Sequence, residues 1–136
     1  MTYVQKFPKP GPSNKMIKRT KYNVARNTKK LYGFDSLAER DRHTELTIFQ
    51  AAGKISDLKR QTRVELEQDI FYRTDFDYVS NGIRVYEDVK GVETERFRLI
   101  KKIWRLHGPG ELLIVKRAGR SFEITGRIHS LKRVTQ

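Results

Sequence analysis

Apolar and polar positions along the chain separate into two helical stretches and several strand-like ones. From Ser36 to Ala52, Leu46 and Phe49 mark an apolar stripe at helical spacing, and Gly53 stops it. Ser36-Leu37-Ala38-Glu39 reads as a capping box at its start, and Glu39 lies two turns before Leu46, near the same face. Ile55 to Leu58 reads as a connector. Thr62 to Leu66 reads as a strand, with Gln61 just ahead of it. Ile70–Val79 and Ile83–Lys90 are strands joined by the turn Ser80-Asn81-Gly82, which makes them a hairpin. Phe97, Ile100, Ile103 and Trp104 predict a second helix over Thr94–Leu106, ended by Gly108-Pro109-Gly110. Glu111 to Lys116 is a short apolar strand, Ala118-Gly119 turns, and Ser121 to Ile128 offers a last strand. The order predicts an α/β domain with a central mixed β-sheet of about four strands flanked by helices.

Composition narrows the partners. The chain has 136 residues, enough for one domain with its own core. Lys and Arg total 29 against 16 Asp and Glu, a net charge of +13, and the pI is near 10.2. Such an imbalance favours polyanions. With no cysteine, disulfides and thiolate zinc sites are excluded. No apolar run reaches the roughly 18 residues of a membrane span, and the N-terminus has no signal-like apolar stretch. A soluble, unprocessed, cytoplasmic protein is expected.

The positive charge is concentrated at the start. Residues 1–34 contain nine Lys and Arg and no acid, and Pro8, Pro10, Gly11 and Pro12 interrupt any helix. Residues 1–31 therefore read as a flexible basic arm, and residues 32–136 as the domain. Lys15, Lys18, Arg19, Lys21, Arg26, Lys29 and Lys30 are the expected DNA-binding residues of the arm, contacting phosphates without reading sequence.

The hairpin carries the chemistry. Asp75 lies on its first strand, and Asp88 and Lys90 lie near the end of its second. Alternation puts Arg84, Tyr86, Asp88 and Lys90 on one face, and Ile83, Val85, Glu87 and Val89 on the other. Asp88 and Lys90 therefore point the same way, about 7 Å apart. On the first strand Asp75 and Asp77 share a face, opposite Tyr72, Thr74, Phe76 and Tyr78. Asp75 and Asp88 projecting together would form an oxygen site for a hard cation such as Mg²⁺. Lys90 would orient or deprotonate water, or neutralise charge developing on a phosphate. Three alternatives stay open. Acids and a lysine on a hairpin also form cross-strand ion pairs on a solvated face. A capping box by itself accounts for Glu39. A one-residue slip would exchange Glu87 for Asp88, with Asp77 the weaker substitute for Asp75.

In combination these residues are more specific. Tyr72-x-Thr74-Asp75-Phe76-x-Tyr78, followed by Asn81-Gly82 and Val85-Tyr86-Glu87-Asp88-Val89-Lys90-Gly91, resembles the PD-(D/E)xK nuclease core. Phe34-Asp35-Ser36-Leu37-Ala38-Glu39-Arg40 resembles the helix that carries an extra glutamate in many of these enzymes, and Gln61 fits a common pattern among them. The chain looks most like phage-encoded proteins related to endonuclease I-type Holliday-junction resolvases, and transposon end-cleaving nuclease subunits have a similar layout. The likeness spans roughly residues 20–116.

The resemblance implies a restriction-endonuclease-like core. It makes Asp75 and Asp88 metal ligands, Glu39 a further acid on metal or water, and the Val89 carbonyl an added ligand. It makes Lys90 the catalytic lysine and Gln61 part of the DNA-binding set. The implied cofactor is Mg²⁺, with Mn²⁺ substituting. Thr74 stands where the family pattern has Pro, and Asp88 where Glu is commoner.

The expected activity is metal-dependent endonucleolytic cleavage of DNA, with branched DNA as substrate. A homodimer is expected, because cutting both strands of a junction needs two active sites. Two rivals remain: a non-catalytic nucleic-acid-binding module, and a nuclease subunit active only with partner proteins. His43, His107 and His129 lack ligand spacing, no P-loop is present, and Ser121 has no catalytic partner in its sequence context.

Overall fold

Thr94 sets the start of the second helix by chemistry that the sequence already suggests. Its hydroxyl accepts from the Phe97 N–H at 3.1 Å, an N-cap bond. The chain leaves this helix at Gly108, whose N–H donates to the Trp104 carbonyl at 2.7 Å. A Cβ at Gly108 would fall 2.5 Å from Trp104 Nε1, so the indole packs where only glycine leaves room. Trp104 is fully buried, donates from Nε1 to the Gly110 carbonyl at 2.8 Å, and meets Tyr86 edge-on at 5.2 Å between centroids. Around it Phe97, Ile100, Val64, Leu66, Leu112, Ile114 and Ile128 form a hydrophobic cluster.

The computed structural model describes residues 33–132, so the arm expected over 1–31, with Lys15, Lys18, Arg19, Lys21, Arg26, Lys29 and Lys30, lies outside the described residues. The chain divides between Ser36 and Leu37, and the fold is that of the second unit. It runs α1 (Leu37–Ala51), β1 (Ser56–Glu67), β2 (Ile70–Ser80), β3 (Ile83–Val89), α2 (Glu95–His107), β4 (Glu111–Ala118) and β5 (Ser121–Ile128). The five strands make one sheet in the order β1-β2-β3-β4-β5. β3 and β4 are parallel, joined by the crossover through α2, and every other pair is antiparallel. α/β with a mixed sheet is as expected, but there are five strands where about four were anticipated. Among the described residues no helix is long and apolar enough to cross a membrane.

Neighbouring residues of β3 show how the two helices flank the sheet. Tyr86 packs against Trp104 of α2, and Glu87 bonds Arg42 of α1. Consecutive strand residues face opposite ways, so α1 and α2 cover opposite faces. The α1 face is only partly apolar. Its buried residues are Glu39, Arg42 and Leu46, at one helical face. Arg42 donates from Nε to Glu87 Oε1 at 2.5 Å and from Nη2 to Oε2 at 3.1 Å, and Tyr78 donates to Glu87 Oε2 at 2.6 Å. Phe49 is half-buried, with the Arg42 guanidinium 5.9 Å from its ring.

Two sequence expectations need correction. The stretch Ile55–Leu58 is not a connector: β1 begins at Ser56 and Gln61 lies within it, not ahead of it. Charged residues on both faces of this edge strand hide it, and its register is broken near Asp57, which has φ 52°. The hairpin turn is as expected. Ser80 pairs with Ile83, and Asn81 and Gly82 take φ 53° and 78°, both left-handed.

Removing one partner of a buried ion pair leaves the other charge unpaired in a dry site, at a cost of about 3–5 kcal/mol. Arg42→Ala should therefore lower the unfolding free energy by about that amount in urea denaturation. The double change Arg42→Met with Glu87→Leu should cost markedly less, because no orphaned charge remains. Equal losses in the two variants would contradict this account.

Candidate functional site

The site forms where β2 and β3 part. Their pairing runs from Ser80 opposite Ile83 to Phe76 opposite Glu87 and goes no further. Two carboxylates bridge the opening beyond. The Asp75 N–H donates to Asp88 Oδ1 at 3.0 Å, and the Val89 N–H donates to Asp75 Oδ2 at 2.8 Å. Each acid thus accepts a backbone amide from the opposite strand. On the far side of β2, the ladder to β1 omits the Gln61–Asp75 pair between Arg60–Phe76 and Thr62–Thr74. Gln61 has φ 55° there, and its Nε2 donates to Glu39 Oε1 of α1 at 2.8 Å. Glu39 is buried.

The expected face of Tyr72 also needs correction. Strict alternation sets it opposite Asp75, yet its hydroxyl donates to Asp88 Oδ2, and its ring packs against the α2 core. Phe76, four residues on, stacks on His43 of α1 at 5.9 Å. Two even-numbered positions of β2 therefore face opposite sides, and alternation breaks between them, beside the left-handed Gln61. Tyr72 stands in the sequence motif without a role there, and its three-residue spacing from Asp75 signals none without that break.

Lys90 completes the group. Its Nζ donates to Tyr72 Oη at 3.2 Å, lies 3.7 Å from Asp88 Oδ2, and sits 4.3 Å from the Phe97 ring centroid. Its N–H donates to the Val115 carbonyl at 2.9 Å, so β4 fixes the backbone from which the side chain projects. A cleft of about 310 Å³ opens beside it, lined by Tyr72, Arg73, Arg96 and Phe97 among others.

Burial dominates the electrostatics. Asp88 is fully buried, which raises its carboxyl above the ordinary value, against the lowering influence of Lys90, the Tyr72 hydroxyl and the Asp75 N–H. The Asp75 carboxyl is pushed up to about 7, first by burial, then by the charges of Asp88 and Glu39, with the Val89 amide and Lys90 pulling the other way. Burial and Asp88 also raise the Tyr72 hydroxyl, which keeps it a donor.

The other sequence candidates fall elsewhere. Glu87 is turned to the opposite face and bound by Arg42, so Asp88 is the acid that meets Asp75. Asp77 accepts from Arg84 at 2.6 Å and from Thr62. Thr74 is fully buried, and its hydroxyl has no hydrogen-bond partner among the described residues, so the site draws no polar contact from it.

The donor chemistry suits a hard cation: two carboxylates at close range, one of them raised first by burial and then by the charge of the other. Asp75 Oδ1 takes no hydrogen bond among the described residues. As it stands, though, no group of three or more His, Asp or Glu side chains among the described residues is drawn together closely enough to hold a metal ion. One Glu39 oxygen is engaged by Gln61, and both Asp88 oxygens have internal donors.

Fold and site together define an α/β protein with a mixed five-stranded sheet and an acid pair, one buried and one half-buried, with a lysine where two strands separate. A family model described as "Protein of unknown function (DUF1064)" matches residues 19–124, and the chain belongs to that family. Comparison with curated proteins and with solved structures gives no match.

The raised Asp75 carboxyl has a thermodynamic signature. Between its ordinary value of 3.8 and about 7, the folded chain holds this proton more tightly than the unfolded chain does. Stability from this group is therefore present at low pH and lost as pH rises through that window. Asp75→Asn keeps an acceptor for the Val89 N–H and cannot ionise. In thermal melts it should exceed the wild type in stability above about pH 7 and lose that advantage near pH 4. A difference that stays constant across the range would contradict the assignment.

Proposed function

We propose that the chain is a metal-dependent endodeoxyribonuclease of the PD-(D/E)xK type, hydrolysing phosphodiester bonds in branched DNA such as a Holliday junction. The supporting observation is the convergence of Asp75, Asp88 and Lys90 where β2 and β3 part, with Glu39 electrostatically coupled to Asp75. Asp75, Asp88 and Glu39 would hold Mg²⁺, or Mn²⁺ in its place, with the Val89 carbonyl as an added oxygen. When bound, the cation polarises the phosphodiester and acidifies water. The Lys90 ammonium neutralises negative charge that develops on the phosphate. Tyr72 positions both groups, accepting from Lys90 and donating to Asp88. The net charge of +13 supplies affinity for the backbone. In a homodimer two such sites would serve the two strands of a junction.

A second function is favoured by one feature of the same geometry. Both acids accept backbone amides, so the fold has a use for them without any chemistry. A non-catalytic DNA-binding module would keep them for that reason alone.

Supercoiled plasmid incubated with the protein and Mg²⁺ separates the two. Nicking that stops with chelator is expected. Asp75→Asn and Lys90→Ala should each reduce it by about 100-fold or more, with DNA binding in chelator unchanged. Undiminished nicking by both variants would sink the proposal, and chelator-insensitive binding without nicking would favour the binding module. A panel of labelled linear, flapped and four-way DNAs should show preferential cleavage of the branched forms.

A further inference from the structure

The apolar stripe of α2 has a basic counterpart on the same helix. Arg98, Lys101, Lys102 and Arg105 recur at i, i+3, i+4 and i+7, which places them on one flank. They line a groove of about 470 Å³ between α2 and β5, together with Arg127 and Glu93. Glu93 pairs with Lys101 at 2.7 Å, and Arg127 pairs with Glu111 at 3.2 Å. Arg98, Lys102 and Arg105 make no ion pair among the described residues. Like charges at this spacing repel and weaken a helix. The fold itself therefore gains nothing from holding three of them together without counter-charge.

The stripe begins one ring away from the candidate site. Lys90 Nζ lies 4.3 Å and Lys101 Nζ 5.8 Å from the centroid of the same Phe97 ring. Arg98 and Arg105 are separated by about 10 Å of helical rise. One DNA strand advances about 3.4 Å per phosphate along its axis, so the stripe matches about three consecutive phosphates. A single phosphate group would leave most of it unmatched. A lipid surface would need apolar residues beside the cations. The exposed leucines of α2, Leu99 and Leu106, are not in the groove's lining.

We propose that the α2–β5 groove is a DNA-backbone track, in which Arg98, Lys102 and Arg105 hold consecutive phosphates of the substrate and lead the strand across Phe97 to Lys90. The choice of DNA as the polyanion rests on the nuclease function proposed above. The track is a surface of the folded domain and is separate in sequence from the arm over residues 1–31.

The test is binding of a labelled duplex of about 30 base pairs to the full chain by fluorescence anisotropy in chelator, across a salt series. Replacing Arg98, Lys102 and Arg105 together by Gln keeps the length of the side chains and removes three charges. The slope of log affinity against log salt should fall by about 3, with affinity near 0.15 M salt falling on the order of 100-fold. A charge-matched control, Lys59, Lys116 and Arg120 together changed to Gln, should lose far less. Equal losses in the two triple variants would overturn the track, since binding would then follow net charge alone. Vesicles with anionic headgroups that bind through the stripe while DNA binding is unaffected by it would also overturn it. A measurement on the unaltered chain guards against a variant that fails to fold. DNA should protect Lys102 from amine acetylation and leave Lys116 reactive, and equal reactivity with and without DNA would overturn the proposal. Because the assay scores binding without metal, absent nicking would count against the nuclease and leave the track standing.

Discussion

Two backbone amides left without strand partners govern this structure. Beyond Phe76 and Glu87 the strands β2 and β3 separate, and the β1–β2 ladder skips the Gln61–Asp75 pair, so the N–H groups of Val89 and Asp75 fall where the ladders are interrupted. An unpaired buried amide costs about as much as a lost hydrogen bond, so the fold must supply an acceptor. It supplies carboxylates, each from the opposite strand. That solution creates its own difficulty, because two acids now share a dry space. The Tyr72 hydroxyl and the Lys90 ammonium offset part of the charge, and burial, with the remaining charge behind it, raises the Asp75 carboxyl. The features that give the site its chemical potential follow from this local parting of strands.

The same strand shows what a settled buried acid looks like. Glu87 is as deeply buried as Asp88, yet on its face of the sheet Arg42 meets it with two hydrogen bonds and Tyr78 adds a third. There a full guanidinium charge stands in direct contact. Asp88 has only an ammonium at 3.7 Å, shared with a tyrosine hydroxyl. The adjacent residues Glu87 and Asp88 thus differ in how completely their charge is met, and the difference is set by which helix each faces. A buried pair with complete internal compensation leaves a cation nothing to do, whereas an under-compensated cluster leaves it something.

Periodicity made most of the fold legible. Phe97, Ile100 and Trp104 located α2, and Asn81-Gly82 located the hairpin turn, because both signals are local. The edge strand β1 was underread because Leu58 is its one apolar residue before Val64, too little to set a period of two. Asp75, Asp88 and Lys90 were legible as a constellation, because pairing register brings positions 13 apart in sequence together. Tyr72 and the Gln61–Glu39 bond were not legible as contacts. The first follows a break in the alternation of β2 and the second a left-handed backbone at Gln61, a residue type with no special preference for it, so both rest on tertiary compromises that leave no mark in the local pattern.

The position of Lys90 ties the site to the rest of the domain. It leaves β3 at the carboxyl end, where the parallel pairing with β4 finishes and the crossover to α2 departs. In sheets with parallel strands this end is where ligands are usually met, because the departing loops leave a crevice. Here the crevice is held from three sides: by β4 through the Lys90 N–H, by β2 through Tyr72, and by α2 through Phe97. None of these supports is a loop. In the proposed function, a lysine placed by two strands and a capped helix would need little reordering to act on a phosphate, and preorganisation of that kind is what electrostatic catalysis depends on. The crossover that closes the hydrophobic core around Trp104 is therefore also the element that carries Phe97 to Lys90. The stability of the core and the geometry of the site rest on the same helix.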